Sequence, residues 1–241
     1  MKKNEEILSR AIQLLCLSDR SALEKNKVNG INYGYKSREN QRKLIQNWLI
    51  KNSLFDSCSL RERNYICAKI GDVNKDDTTY FQLQYECIEP LLWILGLVNE
   101  TSNYDDFVLT DFHINLRIAN FDKEEILKDV KTSQRSSNHI NQKRQISMLW
   151  YWRIIEINNN IFASRTAEEL IISVFGVNYK PIVKEMKKLR LLNDDFIVNG
   201  SDIKSLSSSI KYKIKVISEL RYHSFEWVFS DADWEEVELN T

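Results

Sequence analysis

Apolar residues recur at helical spacing along most of this chain. In the first segment Ile7, Ala11, Leu14, Leu15 and Ser18 form one stripe with Arg10 and Gln13 off it, which predicts an amphipathic helix fading near Lys25. Asn26 to Tyr35 collects Asn, Gly and Tyr and reads as a loop. A second helix is predicted from Ser37 to Lys51, with Leu44, Ile45, Trp48 and Leu49 on its buried face. Ser59-Leu60-Arg61-Glu62 is a capping box, and the helix it opens should stop at Gly71. From Asp76 to Val98, Tyr80, Leu83, Cys87, Leu91 and Ile94 keep helical spacing, and 91–95 is apolar all round. Such a segment belongs at the centre of a core, with a kink or break expected at Pro90. The stretch from Asn99 to Asn120 is less periodic; 107–109 and 114–116 read as short extended pieces or a packed loop.

Beyond it, Asp122 to Lys131 makes a short helix and Ile140 to Ile157 a long one. The long one carries Trp150, Tyr151 and Trp152 in succession, and consecutive positions diverge by about 100°, so at most two of these rings share a face. Thr166-Ala167-Glu168-Glu169 is a second capping box, opening a helix that ends near Gly176. Pro181 suits the first turn of a helix from Tyr179 to Leu192 whose exposed face is basic. Asp194 to Gly200 reads as a turn or a hairpin arm. A last helix runs from Ile203 to Phe229, with Ile210, Ile214, Ile217 and Leu220 on one stripe and an acidic tail behind it. These elements predict a mainly α, compact, bundle-like domain with at most a minor β-hairpin. It spans residues 1–241 as one domain, or as two packed halves, 1–120 and 121–241.

Composition narrows the function classes. The chain carries 34 Lys plus Arg against 34 Asp plus Glu, and 16 of each sign lie before residue 121. Neither half is a basic module, so neither nucleic acid nor an anionic membrane is the favoured partner. Six Gly and two Pro are too few for a glycine phosphate loop or a sandwich of tight turns. Cys16, Cys58, Cys67 and Cys87 make no CxxC pair, and each sits in an apolar-periodic stretch, where a reduced thiol packs as a small hydrophobe. His113, His139 and His223 lie far apart with no ligand spacing around them, so no metal or cofactor is expected. Lys2, Lys3, Glu5, Glu6 and Arg10 interrupt any leader-like apolar run, and the greasiest stretch, Pro90 to Val98, is too short to span a bilayer. A cytoplasmic location is the expectation.

Several landmarks, in order, resemble the uncharacterised bacterial family called domain of unknown function 4272. Residues 10–15 followed by Leu23-Glu24 look like its opening helix, and Trp48-Leu49, Leu54-Phe55 and Ser59 to Glu62 like its next block. Tyr85-Glu86 with 91–97, Leu-Leu-Trp-Ile-Leu-Gly-Leu, is similar to its core segment. Arg221-Tyr222, Trp227, Asp233 to Val237 and Thr241 resemble its end. The chain departs from that pattern at Gln84, where the family commonly has Arg before Tyr-Glu. It departs again at Leu149 and Tyr151, in place of Arg and His, and at Leu220, in place of Glu. The resemblance implies a fold and no established activity.

Candidate chemistry is sparse. Glu86 and Glu89 are three apart on the central helix, so their carboxylates can converge for acid–base work if that flank is buried, and lie on a solvated flank otherwise. Arg221, near Trp227, suits a clamp on the C-terminal tail better than a substrate fork. Lys184, Lys187, Lys188 and Arg190 read first as a solvated face and only then as a nucleic-acid contact. Asp231, Asp233, Glu235 and Glu236 surround Trp234, an aromatic that either anchors a basic partner or docks the tail. The leading expectation is a non-enzymatic protein-binding module, of the kind that neutralises a toxin. The alternative is an enzyme with a dispersed site around Glu86, Glu89 and Arg221.

Overall fold

A computed structural model describes residues 1–25, 27–28, 31–32, 34–161, 164–176, 179–188 and 195–239. It is mainly helical, as the apolar spacing predicts, and among the described residues it has two hairpins of two-residue strands where at most one was expected. No helix among the described residues is long and apolar enough to cross a membrane. The chain divides into two compact units, one of Lys3–Val98 and Thr110–Ser133, the other of Met1–Lys2, Asn99–Leu109 and Gln134–Thr241.

The first unit is built around α1 (Asn4–Ala22), which touches α2 (Tyr35–Lys51), α3 (Leu60–Cys67), α4 (Lys75–Leu83), α5 (Tyr85–Ile94) and α7 (Lys123–Ser133). Surrounded in this way, α1 buries more than its predicted stripe: Arg10 and Gln13, expected outside it, are buried too. Arg10 forks onto Glu62 at 3.0 and 2.5 Å, while the Gln13 amide donates to the Leu54 carbonyl and Ser57 Oγ. The face assigned to α2 also differs. Leu44 is 61% exposed, and the buried positions are Leu49 and Arg42. Arg42, on one stripe with Leu49, pairs with Glu39 and donates to the Ile66 carbonyl, so hydrogen bonds let a charged side chain share the buried face.

The Ser59–Glu62 box forms as predicted, but α3 stops at Cys67, short of Gly71. Charged side chains of the flanking helices take over the backbone groups there. Arg20 donates to the Ala68 carbonyl, while Glu39 accepts from the Ile70 N–H and Glu24 from the Gly71 N–H. The expected break at Pro90 falls instead at Gln84, between α4 and α5. Pro90 sits inside α5, where its missing N–H forfeits the bond to the Glu86 carbonyl alone. Gly96 ends α5 at φ +74°, with Leu97 N–H on the Leu92 carbonyl and Gly96 N–H on that of Trp93. That pair of bonds is a Schellman motif. Residues 112–115 form a helical turn, α6 (Phe112–Asn115), where an extended piece or loop was expected. Lys27–Val28 (β1) and Ile31–Asn32 (β2) pair antiparallel in the predicted loop.

In the second unit, α8 (Ser137–Asn158) packs along α11 (Ser208–Phe229). Between them in sequence come α9 (Ala167–Phe175), α10 (Tyr179–Lys188) and an antiparallel hairpin of β3 (Ile197–Val198) and β4 (Ser201–Asp202). The Thr166 box opens α9 and Gly176 closes it. Asn199 (φ +50°) and Gly200 (φ +77°) make the two-residue turn that matches strand twist. Helices α8, α9 and α10 each touch the other two, and Phe196, Val198 and Ile203 bring the hairpin into the same core as Trp150, Ile171, Ile182 and Met186. The three successive aromatics of α8 diverge: Trp150 meets Tyr104 and Phe196, Tyr151 meets Tyr222, and Trp152 is partly buried. The last residues predicted for α10, 189–192, lie outside the described residues, as do Arg190, Asp194 and Thr241.

Candidate functional site

Helix α5 positions Glu86 and Glu89 one turn apart, and both are buried, at 2% and 1% exposure, so neither lies on a solvated flank. They belong to the first unit. Arg221 belongs to the second, on α11, and is also buried. Its guanidinium donates to the Ser102 and Asn103 carbonyls at 2.6 and 3.0 Å and lies over the Tyr104 ring. Tyr104 in turn stacks on Trp150 and shares a 2.6 Å hydrogen bond with Ser147. The Arg221 clamp therefore holds the 102–104 loop, whereas sequence proximity pointed to the tail.

Aromatic packing holds the tail. Trp234 is 5% exposed and packs edge-on against Trp227 and His223, with centroids at 5.3 and 4.6 Å. Lys2 adds a second tie: its N–H reaches the Val228 carbonyl at 2.7 Å and its ammonium that of Ala232 at 3.0 Å. Asp231, Asp233, Glu235 and Glu236 remain exposed around this fixed point. Lys184, Lys187 and Lys188 are exposed along α10.

The first unit holds a constellation that the sequence reading missed. His113, on α6, places Nε2 2.8 Å from Asp19 and Nδ1 2.9 Å from Asp111. The bond to Asp19, helped by the charges of both carboxylates and opposed by burial, raises the imidazole pKa to about 9. The ring is therefore an imidazolium at neutral pH with both nitrogens engaged, a tether and not a base. Asp111 beside it is a visible Asp-x-His pattern, but Asp19 is 94 positions away and leaves no signal. Asp19 also lines a cleft of about 370 Å³ between the end of α1 and the first half of α2, with Ala22, Leu23, Lys25, Ser37, Arg38, Gln41 and Ile45. Arg38 there donates to the Leu23 carbonyl at 2.8 Å. Asp19 and Arg38 are thus committed to the protein's own groups.

Other buried charges are structural in the same way. Arg153 forks onto Asp195 and also donates to Glu156 and the Arg165 carbonyl. The Glu39 carboxyl, hydrogen-bonded by Arg42, is held down at about 2 although burial opposes this. Burial pushes the thiols of Cys16 and Cys58 up, the latter to about 12, which leaves them unreactive as nucleophiles. Cys67 departs from the expectation for the cysteines: it is exposed, and accepts a hydrogen bond from Gln46.

No curated protein and no solved structure gives a match to the chain. One family model does, over residues 1–166, which takes in the whole first unit and the second unit through α8. The Tyr85-Glu86 and 91–97 landmarks lie inside that range, and those around Arg221 and Trp234 lie beyond it. With more than half its length matched, the chain belongs to the family described as domain of unknown function (DUF4272).

Proposed function

We propose that this protein acts by binding and not by catalysis, as a cytoplasmic module that engages a basic protein partner through its acidic tail, in the manner of a toxin-neutralising factor. The observation that carries the reading is the docking of Trp234, which fixes a tail whose carboxylates at 231, 233, 235 and 236 face solvent. Charges on a fixed segment lose little entropy on binding and steer an oppositely charged partner. With the Trp234 ring turned inward, the partner reads the carboxylates and not the aromatic. The test is retention of a stoichiometric partner from the source cells on the full chain. Retention should be lost in the Asp231→Lys, Asp233→Lys, Glu236→Lys variant while its melting temperature stays unchanged. Retention that ignores those three charges, or no stoichiometric partner, refutes it.

Burial of both Glu86 and Glu89 favours a second reading, an enzyme using these two carboxylates. A hydrolase and lyase substrate screen in which wild type never exceeds the Glu86→Gln, Glu89→Gln variant disposes of it.

A further inference from the structure

The family match ends at residue 166, and α9 begins at the next residue. The elements beyond that boundary have a distinctive order. Helix α9 ends at Phe175, α10 begins at Tyr179, and a hairpin comes next at 197–202. Two mutually touching helices only three residues apart in sequence, with a glycine after the first, have the spacing of a helix–turn–helix. Here α8 supplies the third helix of a mutually packed trio, and the hairpin seals it through Phe196, Val198 and Ile203.

The exposed face of α10 points to a ligand. Ile182, Val183 and Met186 turn inward, which leaves Lys180, Lys184, Lys187 and Lys188 exposed. Their spacing of four, seven and eight residues from the first places them on one stripe. Among the described residues the only ion pair on this helix is Lys188 with Glu185, at 3.9 Å. Glu169, in the first turn of α9, is committed to the Thr166 box, and Glu168 beside it is exposed. The stripe thus carries four positive charges on a helix roughly 15 Å long, a size that the major groove of duplex DNA, about 12 Å wide, admits end-on or along its axis. The hairpin tip, Asn199 to Ser201, is exposed and polar.

We propose that α8, α9, α10 and the β3–β4 hairpin form a helix–turn–helix with a hairpin wing that binds double-stranded DNA, with α10 in the major groove and the 199–201 tip against a neighbouring phosphate strand. This surface uses none of the acidic tail residues, so either proposal stands if the other fails. Four lysine–phosphate contacts give a slope of about −3.6 in log K against log salt, or roughly a 100-fold loss of affinity from 50 to 200 mM.

The experiment is fluorescence anisotropy of the full chain with a labelled mixed-sequence DNA duplex of about two helical turns, across that salt range. Single-stranded DNA and duplex RNA of equal length serve as comparisons. The expected result is binding that prefers duplex DNA, falls steeply with salt, and drops at least 10-fold in the Lys180→Gln, Lys184→Gln, Lys187→Gln, Lys188→Gln variant. The variant Lys36→Gln, Lys43→Gln, Lys51→Gln, Lys131→Gln has the same net charge but changes exposed lysines of the first unit, and should bind as wild type does. Three results overturn the proposal: no binding at about 100 µM protein and 50 mM salt, equal effects of the two variants, or preference for single strands or RNA.

Discussion

Replacing Arg153 tests how the hairpin and α9 are held to α8. Arg153 is fully buried, and its guanidinium makes four hydrogen bonds: two to Asp195 at 3.0 and 2.5 Å, one to Glu156 at 3.0 Å and one to the Arg165 carbonyl at 2.6 Å. One side chain on α8 thus fixes the approach to β3 and the residue before the α9 cap. Burial alone would raise the Asp195 pKa; Arg153, the Phe196 N–H and Lys204 outweigh it and hold the carboxyl below its usual range. In Arg153→Met the Asp195 carboxylate stays buried with the Phe196 N–H at 2.8 Å and the partly exposed Lys204 ammonium at 3.1 Å. Breaking a buried pair from one side costs roughly 3–5 kcal/mol, and these surviving partners place this case near about 3 kcal/mol. Asp195→Asn leaves Arg153 with Glu156 and the Arg165 carbonyl, so losing the charge-assisted bonds costs less, about 1.5 kcal/mol. The readout is hydrogen exchange of 167–175 and 196–203, where about 3 kcal/mol means a rate increase of the order of 100-fold. The Arg153→Met, Asp195→Leu double variant should recover most of that loss, because an apolar pair removes the stranded charge. The reasoning fails if Asp195→Asn is as damaging as Arg153→Met, or if exchange in both segments is unchanged.

Local geometry sets three further outcomes. Gly96→Ala forces a side chain into the left-handed region and sets its Cβ against the Ser133 backbone, 2.8 Å from the Ser133 Cβ. The two penalties together are about 3 kcal/mol, read as a lower urea midpoint; a shift under about 1 kcal/mol contradicts the close α5–α7 approach. For His113 the folded pKa is raised, so its stabilisation is complete below pH 6.5 and disappears as pH rises through about 9. Wild type should lose more melting temperature between pH 7 and 10 than His113→Gln does. The effect is modest because the ring is 41% exposed, and equal losses reject the tether. Trp234→Ala removes the edge-on contacts with Trp227 and His223 and should make residues 230–239 the first protease site, while circular dichroism of the helices stays unchanged. A tail as resistant as wild type rejects the docking account.

Features governed by neighbours in sequence were legible. Both capping boxes, Ser59–Glu62 and Thr166–Glu169, need only four consecutive residues, and both form. The Asn199-Gly200 turn arises from a backbone rule of the same short range. What escaped was the burial of charge. An amphipathic pattern sends Arg to solvent, yet Arg10 is inside because Glu62 waits 52 positions away, and Arg153 because Asp195 waits 42 away. Likewise Arg221 lies ten residues before the tail's first acid, Asp231, but it meets the carbonyls of 102 and 103, more than a hundred positions distant. The candidate residues were found by type. Their partners, which decide whether each does chemistry or holds structure, were set by tertiary contact.

Net charge hides detail for a related reason. The chain sums to zero, and so does each half, which argued against nucleic acid as the favoured partner. But charges in 0.1 M salt act over only about 10 Å, so a sum over 241 residues averages patches that do not screen one another. On α10 four lysines share one stripe with Glu185 alone to offset them, and the acids that cancel them in the total include those fixed on the tail after α11. Helix α8 also resolves the mismatch between the family boundary and the structural one. It is the last helix inside the matched range, and its buried face of Ile146, Trp150 and Ile154 is covered by α9, α10 and the hairpin, which lie outside that range. An apolar face of that kind cannot be left in water without a cost of several kcal/mol. In this chain the cover carries the lysines.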